Sequence, residues 1–232
     1  MGSGLSFIFL LFLSTISSIY SESTLKLPSE KDITGAYCDS WRLAVETNNA
    51  GAWGRVPASC VGFVKEYMYG DHYWRDIEVV GNFSSAFAKS VGLGEDGRDA
   101  WVFDIDETLL SNLQYYADVD FGSALQASLK LYKELQELGF KIFLLTGRSE
   151  YQRNATEINL LLVGYRNWER LILRGSSDQG KPATSYKSEK RAELVNEGYR
   201  IHGSSGDQWS DLWGYAVASR SFKLPNPMYY IH

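Results

Sequence analysis

Four aspartates in two pairs carry the chemistry that this sequence suggests. Asp104 and Asp106 lie in Phe103-Asp-Ile-Asp-Glu-Thr108, and the other two lie in Gly206-Asp-Gln-Trp-Ser-Asp211. Each pair follows a stretch predicted to be a buried strand. Clustered carboxylates are the ligands that a hard cation such as Mg²⁺ prefers, and one of them could attack phosphorus. The pairs therefore predict a metal-assisted phosphoryl-transfer site.

The first pair can divide the work of such a reaction. Asp104 and Asp106 are two residues apart, so in an extended chain both side chains leave the same side. Asp104 would attack phosphorus, and Asp106 would protonate the leaving oxygen and later activate water. A cation would reduce the repulsion between carboxylate and phosphate. The alternative is an ordinary loop with a helix cap.

The second pair is predicted to hold the metal. Asp207 and Asp211 are four residues apart and share a face if a helical turn starts there. Asp207 is the better ligand, whereas Asp211 could bind the metal directly, act through water or orient its neighbours. The alternative is a helix cap followed by a surface aspartate.

Phosphate contacts are predicted from a Thr-Gly turn and a lysine. Thr146 in Leu145-Thr-Gly-Arg148 offers a hydroxyl and nearby backbone amides to a phosphoryl oxygen, although Thr-Gly is also an ordinary turn. Lys187 and Lys181 compete for the role of the cation near the phosphate, and either could be a solvated surface residue. Lys187 suits the role because it is predicted just before a helix. We assign no role to Arg148 or His202.

Alternating strands and helices are predicted from Ala100 onward. Strands are expected at 100–103, 140–145, 170–173 and 199–202, and helices at 125–138, 150–163 and 188–197. Gly139 should close the first helix as a left-handed cap. This alternation predicts a parallel sheet wrapped by helices, and it places Asp104, Thr146 and Asp207 at the carboxyl ends of strands, where such sheets bind ligands.

The chain before this core is predicted to be helical. Apolar residues recur at helical spacing over 37–47, 61–69 and 83–91, and the glycine-rich stretch 92–97 marks the join. The predicted organisation is a signal peptide at 1–22, an N-terminal helical region at 28–98 and a catalytic core at 99–232.

Composition and the N-terminus predict a route through the secretory pathway. The chain has 232 residues and a formal charge of −5 without a basic stripe, so nucleic acid is not an expected partner. The apolar run Leu5 to Leu13 is too short for a stable membrane span and fits a signal peptide cleaved between Ser17 and Ser23. An uncleaved anchor or a buried helix is the alternative.

Two cysteines and two sequons fit an oxidising compartment. Cys38 and Cys60 could form a disulfide there, the alternative being two buried free thiols. Asn82 and Asn154 begin the N-glycosylation sequons Asn-Phe-Ser84 and Asn-Ala-Thr156, which matter only if the chain is translocated.

The motifs resemble those of a known superfamily. Asp-Ile-Asp-Glu-Thr108, Leu-Leu-Thr-Gly-Arg148, Tyr-Lys-Ser188 and Gly-Asp-Gln-Trp-Ser-Asp211 resemble the four motifs of the haloacid dehalogenase-like phosphohydrolases with four aspartates. The stretches 37–44, 168–171 and 223–230 resemble the plant acid phosphatase and vegetative storage protein family. The resemblance runs from about Tyr37 to the last residue of the sequence.

The resemblance implies an α/β fold, a haloacid dehalogenase-like Rossmannoid three-layer sandwich with a parallel sheet. It implies that Asp104 is phosphorylated, that Asp106 is the acid and base, and that Thr146 and Lys187 stabilise the phosphate. It also implies Mg²⁺ held by Asp104, Asp207 and the main-chain carbonyl of Asp106, with Asp211 in support. One departure is a shortened cap, because residues 115–124 run almost directly into the next helix.

Together these features predict an acid phosphatase that hydrolyses small phosphomonoesters through a phospho-aspartate with Mg²⁺. The expected destination is the vacuole or the cell exterior, and a homodimer is allowed. A vegetative storage glycoprotein with vestigial activity is the first alternative. A module that binds phosphate esters without hydrolysing them is the second.

Overall fold

The computed structural model of the chain describes residues 30–113 and 122–231. The predicted signal peptide at 1–22 lies outside these residues, and so does most of the segment 115–124 in which a shortened cap is predicted. Within the described ranges, no helix is both long enough and apolar enough to cross a membrane.

Strands and helices alternate through the second half of the chain, as predicted. The strands of the described residues are β1 (Asp99–Phe103), β2 (Leu110–Ser111), β3 (Ser123–Ala124), β4 (Lys141–Ser149), β5 (Arg170–Arg174), β6 (Arg200–Gly206) and β7 (Arg220–Lys223). The helices are α1 (Glu30–Glu46), α2 (Val61–Tyr69), α3 (Asp71–Ser90), α4 (Gln126–Leu138), α5 (Arg153–Leu162), α6 (Ala183–Asn196) and the single turn α7 (Trp209–Leu212).

Five parallel strands form the central sheet in the order β5-β4-β1-β6-β7, and β2 pairs with β3 in a separate antiparallel ribbon. Side chains of a strand alternate between the two faces of its sheet. In β1, Trp101 and Phe103 join a core cluster with residues of α3, α4 and α5. Ala100 and Val102 join the opposite cluster with residues of α6. Helices therefore cover both faces, which confirms the predicted three-layer α/β fold.

The N-terminal helices pack against the end of the chain. Met68, Tyr73 and Ile77 from α2 and α3 share a buried cluster with Leu125 and Leu224. A disulfide joins Cys38 of α1 to Cys60, with their Cα atoms 5.3 Å apart. The division of the chain at about residue 98 stays a prediction, because these helices share a core with later residues.

Two element predictions need correction. Helix α6 begins at Ala183 rather than 188, because Pro182 (φ −53°) starts the helix without needing a backbone donor, so Lys187 lies inside the helix and not before it. Strand β6 extends to Gly206 rather than ending at residue 202. Gly203 lies against the Trp101 ring, which leaves no room for a Cβ atom, so its glycine reflects close packing and not a turn. The edge strand β7 was not predicted.

The cap of α4 agrees with its prediction. Gly139 ends the helix with φ 102°, and its backbone N–H donates to the carbonyl of Gln136. A left-handed conformation at this position is easily reached by glycine and closes the last turn of the helix. The turn brings the chain directly into β4, one of the two strands that flank β1.

Candidate active site

Three carboxylates meet at the carboxyl edge of the sheet. Asp104 follows β1 and Asp207 follows β6, which are adjacent parallel strands, and the backbone N–H of Asp104 donates to the Ser205 carbonyl at 2.9 Å. Asp211 lies on the single turn α7 and folds over Gly206, where a Cβ atom would collide with it. Oxygen atoms of the three carboxylates all lie within 4.8 Å of one another. All three residues are buried.

Lys187 is the cation that reaches these carboxylates. Its Nζ lies 2.5 Å from Oδ1 of Asp104 and also contacts Oδ1 of Asp211. Lys181, its competitor in the sequence, instead contacts Glu189 at 2.5 Å and Asp178 at 3.2 Å. The structure thus places Lys187 at the site and Lys181 away from it. Lys187 reaches the cluster from the first turns of α6, which Pro182 sets earlier than the sequence suggested.

The charges of the cluster are out of balance. Three buried carboxylates face one buried ammonium group, which leaves a formal excess of two negative charges. Burial and the neighbouring Asp211 raise the pKa of Asp104 well above its usual range, and they raise the pKa of Asp207 to about 6. Burial disfavours the Lys187 cation, but Asp104 and Asp211 outweigh it and raise the pKa of Lys187.

A divalent cation fits this arrangement on two grounds. The donors are carboxylate oxygens, which hard cations such as Mg²⁺ and Ca²⁺ prefer. Their excess negative charge is what a divalent ion would balance, since buried charges are costly unless they are paired. The carboxylate of Asp106 is not part of this cluster, so of the residue set predicted for the metal only Asp104, Asp207 and Asp211 offer side chains here.

Asp106 is held by an arginine to which no role was assigned from the sequence. Arg148 binds its carboxylate with two nitrogens, Nη2 at 2.6 Å from Oδ1 and Nε at 3.0 Å from Oδ2. Asn112 donates a further bond at 2.8 Å, and Arg148 itself donates to the Thr156 hydroxyl at 3.1 Å. Burial favours the neutral acid, but the Arg148 guanidinium outweighs it and lowers the pKa of Asp106. The pair fixes the direction in which this carboxylate points.

Thr146 lies where the regular pairing of β4 with β5 ends. Pairing runs to Leu145 and shifts in register before Ser149. Thr146 is fully buried, and its hydroxyl accepts a bond from the backbone N–H of Arg148 at 3.1 Å. The cleft wall at this point is Gly147. The phosphate contact of Thr146 stays a prediction.

Asp207 has three hydrogen-bond partners that the sequence did not reveal. Its Oδ2 accepts from Nδ2 of Asn226 at 2.6 Å and from Nε2 of Gln208 at 2.8 Å. Its Oδ1 accepts the longer bond, 3.3 Å, from the Thr108 hydroxyl. Asn226 stands between two prolines, which was the one signal in the sequence that its backbone is fixed.

These groups line one cleft of about 530 Å³. Its walls are formed at the carboxyl ends of β1, β4, β5 and β6, together with α6 and the last described residues. The lining residues are Asp104, Asp106, Asn112, Gly147, Arg174, Ala183, Lys187, Asp207, Gln208, Ser210, Asp211, Tyr229 and Ile231. A small phosphate ester is the size of ligand that such a cleft can admit.

The remaining predicted residues lie elsewhere. Asn82 and Asn154 are exposed on α3 and α5, as a glycan acceptor must be in the folded protein. His202 lies near the start of β6, at the far end of the sheet, where its Nε2 is 2.6 Å from Oδ1 of Asp99. Leaving His202 without a role at the site agrees with this position.

Comparisons with known proteins agree with this site. A family model described as HAD superfamily, subfamily IIIB (Acid phosphatase), where HAD stands for haloacid dehalogenase, matches residues 22–232. Acid phosphatase 1 from Solanum lycopersicum is 54% identical over 212 residues, which cover 84% of this chain and 83% of that protein. The stem 28 kDa glycoprotein from Glycine max is 41% identical over 214 residues, 84% of each chain. Vegetative storage protein 2 from Arabidopsis thaliana is 35% identical over 235 residues, 92% of this chain and 88% of that one.

A solved structure supports the fold. The class C acid phosphatase from Bacillus anthracis superimposes with a TM-score of 0.61 at 23% identity, covering 73% of this chain and 84% of that one. Family match, relatives and fold lead to the same conclusion. The chain belongs to the HAD superfamily, subfamily IIIB, and is an acid phosphatase.

Proposed function

We propose that this acid phosphatase hydrolyses small phosphomonoesters through a phosphorylated Asp104, with Mg²⁺ bound at the three-carboxylate cluster. The observation that carries the proposal is the buried contact between Asp104 and Lys187 at 2.5 Å, beside Asp207 and Asp211. A nucleophile, a fixed cation and a metal-binding group are then present within one cleft.

The first half of the reaction transfers the phosphoryl group to the protein. An oxygen of Asp104 forms a bond to phosphorus while the ester P–O bond breaks. The leaving oxygen takes a proton from the carboxyl group of Asp106, which lines the same cleft and, because Arg148 lowers its pKa, carries that proton in only a fraction of the molecules even at acidic pH. Lys187, which contacts Asp104 in the resting site, is placed to hold a phosphoryl oxygen as charge develops.

The second half returns the protein to its starting state. Asp106, now a carboxylate, takes a proton from water as the water oxygen attacks phosphorus. The bond between phosphorus and Asp104 breaks, phosphate leaves, and the Asp104 carboxylate is restored. Arg148 and Asn112 keep the Asp106 carboxylate oriented through both transfers. Thr146, next to the cleft wall, is proposed to support a phosphoryl oxygen through its hydroxyl.

Asp104, Asp207 and the main-chain carbonyl of Asp106 are the proposed ligands of Mg²⁺. When bound, the ion would reduce the repulsion between the attacking carboxylate and the anionic phosphate. Asp211 is proposed to support the site, because its Oδ2 accepts from the Gln208 backbone N–H at 2.9 Å while its Oδ1 contacts Lys187.

The test compares Asp104→Asn with the parent protein on an aryl phosphate at acidic pH. Asparagine keeps the shape of the side chain but cannot attack phosphorus, so we expect a rate loss of about 10³-fold or more. EDTA should abolish the activity of the parent, and Mg²⁺ should restore it. Asp178→Asn is the matched control, because Asp178 is also a buried aspartate paired with a lysine but does not line the cleft. Full activity of Asp104→Asn would refute the nucleophile.

The same proposal includes passage through the secretory pathway to the vacuole or the cell exterior, with glycans at Asn82 and Asn154. Both asparagines are exposed, and two related proteins are named as a stem glycoprotein and a vegetative storage protein. Those names also favour a second candidate function, storage with vestigial catalysis. Turnover far below about one per second for the purified protein would support storage. Loss of a mass increment on treatment with an N-glycosidase would test the glycans.

A further inference from the structure

The N-terminal helix α1 reaches the candidate metal site through a chain of hydrogen bonds. Its last residue, Glu46, accepts from the backbone N–H of Asn226 at 2.9 Å and from Nζ of Lys223 at 2.7 Å. Asn226 then donates from Nδ2 to Oδ2 of Asp207 at 2.6 Å. Two contacts therefore connect a helix at the start of the described chain to a proposed ligand of the metal.

Asn226 is fixed in both its backbone and its side chain. It is 2% exposed and stands between Pro225 and Pro227, whose rings restrict the backbone. The backbone N–H of Met228 donates to Oδ1 of Asn226 at 3.0 Å. The amide oxygen of Asn226 must therefore face the Met228 N–H, which leaves its NH₂ group pointing towards Asp207.

The bonds from Asn226 also decide which oxygen of Asp207 is left for a metal. Asn226 and Gln208 both donate to Oδ2, at 2.6 and 2.8 Å. Oδ1 accepts only the 3.3 Å bond from Thr108 among the described residues. An oxygen with a weak partner is the better one to coordinate a cation, because less hydrogen bonding has to be given up.

Glu46 is also held by a lysine of the edge strand β7. Its side chain is 15% exposed, and Lys223, its partner, is 14% exposed. A partly buried ion pair of this kind orients its side chains more reliably than it stabilises the fold, since desolvation offsets much of the attraction. Helix α1 is further joined to α3, because Arg42 pairs with Asp76 at 3.1 Å.

We infer that Glu46 is a positioning residue for the metal ligand Asp207 and acts through Asn226. The inference rests on the proposed function, because it requires that Asp207 binds Mg²⁺. Loss of the Glu46 carboxylate should free the backbone of Asn226, let Asp207 rotate and weaken Mg²⁺ binding. The expected size is about 10- to 100-fold, as for other partners of metal ligands.

The experiment measures Mg²⁺ affinity directly, by calorimetric titration of the full chain without substrate. Glu46→Ala should raise the Kd for Mg²⁺ by about 10-fold or more. Glu46→Gln keeps an oxygen for the Asn226 N–H, so its Kd should stay within about threefold of the parent value. Saturating Mg²⁺ should restore kcat in Glu46→Ala, because the nucleophile and the acid are untouched.

Arg42→Met is the matched control on the same helix. It removes an ion pair of α1 without touching Asn226, so the unfolding midpoint should fall while the Kd for Mg²⁺ stays unchanged. The inference is wrong if Glu46→Ala binds Mg²⁺ as tightly as the parent, or if Arg42→Met weakens binding as much as Glu46→Ala does. A parent protein that binds no Mg²⁺ would instead refute the proposed function, and this inference with it.

Discussion

Replacement of Asp207 by asparagine should remove activity and yet stabilise the metal-free protein. Asp207 is 2% exposed, and burial and Asp211 raise its pKa to about 6, from 3.8 for an ordinary aspartate. A group whose pKa is raised on folding favours the folded state at low pH and loses that contribution as pH rises through the folded value. The charged carboxylate of Asp207 therefore costs the metal-free fold free energy at neutral pH.

The size of the effect follows from the two pKa values. The cost to the free energy of unfolding is about 1 kcal/mol at pH about 4.5 and about 3 kcal/mol at pH about 7.5. Asparagine can keep the hydrogen bonds of Asp207: its oxygen can accept from Gln208 and Asn226, and its NH₂ group can donate to the Thr108 hydroxyl. The variant should therefore gain about 3 kcal/mol at the higher pH and about 1 kcal/mol at the lower.

Urea denaturation in EDTA at the two pH values is the assay. Asp178→Asn provides a control of opposite sign: burial raises the pKa of Asp178, but Lys181 and the Gly175 backbone N–H outweigh it and lower that pKa. This variant should be destabilised at neutral pH. Saturating Mg²⁺ should stabilise the parent at pH about 7.5 and have little effect on Asp207→Asn. Equal stability of Asp207→Asn and the parent at that pH, or a gain that does not change with pH, would refute the repulsion argument.

Two further predictions concern charged pairs inside and outside the site. Arg148→Met should raise the pKa of Asp106, because the guanidinium no longer outweighs burial. Activity should therefore fall about tenfold but extend to higher pH. A pH–rate profile checks this, and the control variant Arg153→Met should leave the profile unchanged. Asp99→Asn should cost about 2 kcal/mol at neutral pH, because Asp99 is buried against Arg200. The Arg200 hydrogen bond outweighs burial and lowers the pKa of Asp99, so this cost should shrink as pH falls below about 4 in urea denaturation, and a cost independent of pH would contradict the assignment.

Local sequence patterns were sufficient for the sheet and its reactive edge. The apolar run before Asp104 predicted β1, and the stretch before Gly206 predicted β6. Asp104 and Asp207 were therefore expected at the carboxyl ends of parallel strands. Gly139 was identified as a left-handed cap from its position after an apolar helical face. Such features are encoded within a few residues, because side-chain periodicity follows the geometry of one helix or strand.

The same patterns failed where packing between distant elements, and not the local structure, determines the residue type. Strand β6 was predicted to end at residue 202, but it continues through Gly203, against which the Trp101 ring packs. The edge strand β7 has two exposed residues among its four and gave no apolar run. Lys187 was predicted to lie before a helix, because the start of that helix was placed at Ser188 and not directly after Pro182.

The sequence by itself determined which residue types could do the chemistry and at which strand ends they stand. The tertiary structure decided which partners they meet: Lys187 rather than Lys181 at Asp104, Arg148 on Asp106, and Glu46 behind Asn226. These partners are far apart in the chain, 83 residues for Lys187 and Asp104 and 180 for Glu46 and Asn226. Contacts over such separations depend on how whole elements pack, and the periodicity of a single element carries no record of that packing.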